Sequence, residues 1–147
     1  LDIKDFLASN DVIVDMRAAD KDQLLRELSQ RAASALGLDA GVVTAEILKR
    51  EELGSTGMGE GMAIPHARIP NLKKPFGILA RLKKAIDFAA IDEKPVDLVF
   101  LLLLPGAAEG DQLNVLAIVA RKLRDSRIAA LIRSGCDEAA MYASMAG

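Results

Sequence analysis

The 147-residue chain is long enough for one domain, and a domain of this size buries roughly two thirds of its unfolded surface without needing staples. Its 19 Lys+Arg against 21 Asp+Glu leave a net charge of −2, and it has no Trp, one Tyr and four Phe, which argues against nucleic acid as a partner. The single cysteine, Cys136, and single histidine, His66, exclude an intramolecular disulfide, a multi-thiolate metal centre and a His-rich zinc site.

In chain order, Asp2 is placed to cap a short helix carrying Ile3, Phe6 and Leu7, and the β-branched Val12-Ile13-Val14 reads as a short strand. Asp20 and Gln23 form a capping-box-like start. Leu24, Leu28, Ala32, Ala35 and Leu36 then recur at helical spacing up to Gly37. Asp39 caps a second helix with Val43, Ile47 and Leu48 on one face and Gly54 beyond its end. Gly54 to Gly61 holds four glycines in eight residues and reads as a loop. Met62–Ala67 reads as a short strand and Pro70–Pro75 as a turn. Phe76–Leu82 reads as a strand with Ile86–Ala89 as its hairpin partner. Val96–Leu104, closed by Pro105, is a strand apolar enough to be covered on both faces. A third long helix is expected from about Asp111, with Leu113, Leu116, Ala120 and Leu123 buried. A helix capped by Asp125 and ended by Gly135 follows, then a last one from Asp137 to Met145. Two helices, several strands and three helices imply a sheet sandwiched between helical layers.

No signal-peptide pattern opens the sequence, and the longest strictly apolar run, Leu98–Leu104, is far short of the roughly 20 residues of a spanning helix. The expectation is a soluble, cytoplasmic, single domain over residues 1–147 with no membrane insertion.

His66 follows the glycine stretch in Gly61-Met62-Ala63-Ile64-Pro65-His66-Ala67. It is either a polar residue at a strand end or an aimed, reactive imidazole. Three features favour the second reading. Glycines let backbone N–H groups converge on an anion, Pro65 fixes the approach, and Ala67 leaves room beside the ring. A neutral imidazole has a nucleophilic nitrogen at pH 7, and its other nitrogen needs an acceptor that the sequence does not name. Ser55-Thr56 lies in no Gly-x-Ser-x-Gly elbow, and Gly57-x-Gly59-x-Gly61 is neither a dinucleotide-binding turn nor a P-loop. Ser55, Thr56, Gly57, Gly59 and Gly61 are candidates for a phosphate-binding loop. Arg50 lies sixteen residues before His66, in the last turn of the second helix. It reads either as a solvated side chain complementing the helix dipole or as a fork for phosphoryl oxygens.

Glu51, Met58, Gly59, Met62, Ala63, Ile64, Pro65, His66 and Ala67 fill every fixed position of a signature. On these residues the chain resembles the fructose/mannitol-type (type 2) IIA domains of the bacterial sugar phosphotransferase system. Leu53 to Gly59 looks most like the nitrogen-related members of that family. The resemblance implies a phosphoryl carrier that accepts a phosphoryl group from an HPr-like phosphohistidine protein onto Nε2 of His66. Arg50 matches the arginine near that site, and neither metal nor organic cofactor takes part. The fold implied is α/β (α+β-like), a mixed sheet of about five strands flanked by helices on both faces. Many members carry a second histidine where this chain has Gln112, which is expected to position the phosphoryl group without acid–base chemistry. The function implied is a regulator that binds target proteins according to its phosphorylation state. The alternatives are a sugar-specific IIA component passing phosphate to a IIB domain, or a non-catalytic binding domain.

Overall fold

Aspartate side chains cap the starts of four helices. In the computed structural model, which describes residues 1–106 and 114–147, helix α1 (Lys21–Leu36) begins where the Asp20 carboxylate accepts the Gln23 N–H. It ends at Gly37, whose φ of 67° is the left-handed turn that glycine adopts without strain. Asp39 caps α2 (Ala40–Glu52) through the Gly41 N–H. Asp125 caps α4 (Ser126–Ser134) through Arg127 and Ile128, and Asp137 caps α5 (Glu138–Ala146) through Ala140. Between them, α3 runs over Val115–Arg124. Asp111, Gln112 and Leu113, expected at the start of the third long helix, lie outside the described residues.

Among the described residues six strands form a mixed sheet: β1 (Val12–Met16), β2 (Gly57–Gly59), β3 (Met62–Ala63), β4 (His66–Ile69), β5 (Phe76–Ile86) and β6 (Val96–Pro105). The order is β1-β5-β6-β3-β2, with β4 also paired to β6. β5 and β6 are antiparallel, while β1 runs parallel to β5 and both β3 and β4 run parallel to β6. Four sequence readings are corrected. The segment after Asp2 is a single 3₁₀ turn, Ile3–Asp5. Part of the glycine stretch is strand β2, folded onto β3 through Glu60 and Gly61, both at positive φ. Phe76–Ile86 is one strand whose antiparallel partner is β6; the pairing shifts between Arg81 and Ile86, which breaks the alternation there. The strand expected over Met62–Ala67 is two strands in one register, Met62 opposite Leu98 and His66 opposite Leu102, interrupted by Ile64-Pro65.

The apolar run of β6 is buried on both faces as a central strand should be. Val99, Leu101 and Leu103 pack beneath α1 and α2 with Leu24, Leu28, Val43 and Ile47. Leu98, Phe100 and Leu102 pack on the other face with Val119, Leu123, Ile132 and Met141 of α3–α5. Phe100 also meets Phe6 edge-on at 6.2 Å between ring centroids. Glycine is required opposite that ring, because a Cβ on Gly77 would lie 2.5 Å from Phe100 Cε1. Among the described residues, no helix is long and apolar enough to cross a membrane.

Candidate functional site

The site is built where a strand loses its neighbour. Among the described residues β4 pairs with β6 on one side only, and β2 ends at Gly57, opposite Ala63. Pro65 lacks an N–H, but its carbonyl accepts the Leu102 N–H at 2.9 Å and so holds the chain against β6. Carbonyls alternate in direction along a strand, so that of Ile64 points to the opposite side, beyond the end of β2. The His66 ring takes it: Nδ1 lies 2.7 Å from Ile64 O. A carbonyl can only accept, so Nδ1 carries the proton and Nε2 keeps its lone pair. This is the tautomer-fixing acceptor that the sequence did not name.

His66 opens into a cavity of about 430 Å³ around the free edge of β4. α2 packs over β4, and the last turns of α2 bring Lys49 and Arg50 to this cavity. Arg68 adds a third cation from β4, and Leu53, Leu104 and Leu116 supply apolar walls. Leu53 is 83% exposed, unusual for a leucine. Arg50 is tethered by its own loop, Nη1 donating to Gly54 O at 2.9 Å, and among the described residues its remaining N–H groups make no other hydrogen bond. Burial pushes the His66 ring below the usual histidine pKa; the Ile64 carbonyl opposes this, the Arg50 charge adds to it, and the Glu51 charge opposes it. The ring is therefore neutral at pH 7, as a nucleophile must be.

His66 and Arg50 are thus brought together, and the glycine stretch is not brought to them. Ser55 donates through Oγ to Phe88 O at 3.0 Å and accepts the Gly57 N–H at 3.1 Å. Thr56 is buried and gives its N–H (3.2 Å) and its hydroxyl to the Glu51 carboxylate. Gly59 and Gly61 serve the β2–β3 hairpin, with Gly61 facing Arg133 and Asp97. Ser55, Thr56, Gly57, Gly59 and Gly61 form a hydrogen-bonded turn and hairpin, and among the described residues they are not part of the cavity lining. Gln112 lies outside the described residues. Sequence reasoning missed the Ile64 carbonyl, which has no side-chain signal, and missed the partners of Glu51. Among the described residues no cluster of three or more His, Cys, Asp or Glu could hold a metal ion.

The chain that builds this sheet and its edge cavity matches a known family over nearly its whole length. The chain belongs to the family described as phosphoenolpyruvate-dependent sugar phosphotransferase system, EIIA 2, whose model matches residues 5–146. Within it, the chain is 44% identical over 144 residues to the nitrogen regulatory protein of Bradyrhizobium diazoefficiens, covering 98% of this chain and 94% of that one. It is 38% identical over 123 residues to the nitrogen regulatory protein of Escherichia coli, covering 83% and 76%. The crystal structure of nitrogen regulatory protein IIA-Ntr from Neisseria meningitidis superposes with a TM-score of 0.88 at 33% identity, over 97% of this chain and 98% of that one. IIA mannitol from E. coli shares the fold, with a TM-score of 0.76 at 16% identity, over 95% of this chain and 98% of that one.

Proposed function

We propose that this protein is a cytoplasmic phosphoryl carrier and regulator, charged on Nε2 of His66 by the phosphohistidine of an HPr-like protein and read by target proteins that distinguish its two states. The observation that carries the proposal is the Nδ1–Ile64 O bond, which leaves Nε2 as the nucleophile beside Arg50. In the step itself, the Nε2 lone pair forms a bond to phosphorus as the donor's P–N bond breaks. The donor ring, protonated at its other nitrogen, departs as neutral imidazole. The positive charge appearing on the His66 ring is shared with Nδ1–H, where the Ile64 carbonyl stabilises it. In this reading Arg50, which lines the cavity, holds the equatorial oxygens, and Lys49 and Arg68 add positive charge. Leu53, Leu104 and Leu116 give the donor protein an apolar footing.

The regulatory reading draws on the nitrogen regulatory proteins, which match this chain over most of its length. A fructose-specific EIIA component of Haloferax volcanii matches only 77 residues, 52% of the chain, so the transport reading comes second. The test is incubation with a phosphorylated HPr-like protein followed by mass spectrometry. The wild type should gain one acid-labile phosphoryl group and His66→Ala none. Adding a sugar-specific IIB domain should leave that label in place, and its rapid transfer to IIB would favour the transport reading. A wild type that gains no label would overturn the carrier reading.

A further inference from the structure

Glu51 heads the matched signature, yet it does not line the His66 cavity. Successive side chains on a helix diverge by about 100°, so Arg50 turns toward β4 while Glu51 turns toward α1. There its carboxylate, 6% exposed, meets Lys21 Nζ at 2.8 Å and accepts both the N–H and the hydroxyl of Thr56. Lys21 also donates to Phe88 O at 3.2 Å and stands 4.3 Å from the Phe88 ring centroid. Ser55 Oγ donates to the same carbonyl. Groups from α1, α2, the 53–57 turn and the segment after β5 therefore converge on one half-buried point.

The turn closed by the Glu51–Thr56 bonds contains Gly54, whose carbonyl receives Arg50 Nη1. We propose that Glu51, held by Lys21 and Thr56, is a positioning residue that sets Arg50 for the phosphoryl group. This deepens the carrier reading and rests on it. Two physical effects follow from the clasp. It fixes the carbonyl to which Arg50 is tethered, so the guanidinium loses less freedom when it grips an anion. It also commits the Glu51 carboxylate to Lys21 and Thr56, so the neighbouring residue does not compete with the phosphoryl group for Arg50.

The experiment is a double-mutant cycle read by single-turnover transfer from a phosphorylated HPr-like protein. Glu51→Gln and Thr56→Val should each slow transfer about 5- to 10-fold when Arg50 is present, the size expected for one lost neutral hydrogen bond, because they act on the phosphoryl group only through Arg50. In an Arg50→Ala background each should cost less than about 2-fold, because there is nothing left to position. Thr56→Ser, which keeps the hydroxyl, should restore most of the rate lost in Thr56→Val. Equal losses in both backgrounds would overturn the proposal and assign Glu51 to stability alone. A second readout is independent of transfer: the NMR order parameter of Arg50 Nε should be high in the wild type and fall in Glu51→Gln. An unchanged order parameter would overturn the clasp whatever the transfer assay shows. Failure of the wild type to accept phosphate would instead overturn the carrier reading.

Discussion

Replacing Arg50 by alanine tests the reacting half of the cavity. The side chain has five N–H donors and, among the described residues, uses one of them on Gly54 O, which leaves a bidentate grip on a phosphoryl group open. A charge-assisted hydrogen bond contributes about 1.5–3 kcal/mol, equivalent to roughly 10- to 100-fold in rate. Arg50 is only half-buried, so solvent screening places the expected loss toward the lower end of that range. Because the Arg50 charge helps hold the His66 ring below its usual pKa, its removal should also raise that pKa and deepen the loss in acid. The assay is single-turnover transfer from a phosphorylated HPr-like donor, with the melting temperature followed in parallel to separate chemistry from folding. Arg50→Lys should recover only part of the rate, since an ammonium is a point charge and not a planar fork. Rates for Arg50→Ala equal to wild type across the pH range would refute the reasoning and leave Arg50 as a tether to the Gly54 carbonyl in the turn after α2.

The pH profile of transfer should be flat through neutrality and fall about tenfold per unit once the pH drops below the His66 pKa, which burial holds under the reference of about 6.5. A kinetic or NMR inflection above that reference would contradict it. The same shift gives His66 a stability signature. The unfolded chain binds the proton more readily, so the contribution is full above the unfolded pKa, is lost as the pH falls through the folded one, and should be absent in His66→Ala by denaturant titration. Gly77→Ala should destabilise the fold by about 1–3 kcal/mol, because its methyl group would overlap the Phe100 ring in a packed core. An unchanged denaturation midpoint would show that the ring moves aside freely.

What could be read from the sequence was local or heavily repeated. Asp20, Asp39, Asp125 and Asp137 each announced a helix, because a cap needs only an acceptor next to its own chain. The apolar run Leu98–Leu104 within β6 announced a central strand. The path of β5 was hidden because Lys83, Lys84 and Ala85 stay exposed where its pairing shifts, so the sequence pattern mimicked a turn between two strands. β2 was hidden because Gly57 and Gly59 carry no strand propensity and are held there by pairing with β3. At the site, His66 and Arg50 stood out as chemistry-bearing side chains, whereas the Ile64 carbonyl that aims the ring is backbone and invisible to residue type. The hydrogen bonds of Ser55 and Thr56 to Phe88 and Glu51 join segments far apart in the chain or turn on backbone geometry, so residue type alone did not show them.

The most direct measurement is the position of the phosphoryl group on the ring. Protein labelled with ¹⁵N at histidine, charged by a phosphorylated HPr-like donor and observed by NMR, reports which nitrogen is bonded to phosphorus. The Nδ1–Ile64 O bond predicts a single Nε2-phosphohistidine at His66, with Nδ1 still protonated and hydrogen-bonded. Phosphate on Nδ1, or on any other residue, would contradict the account.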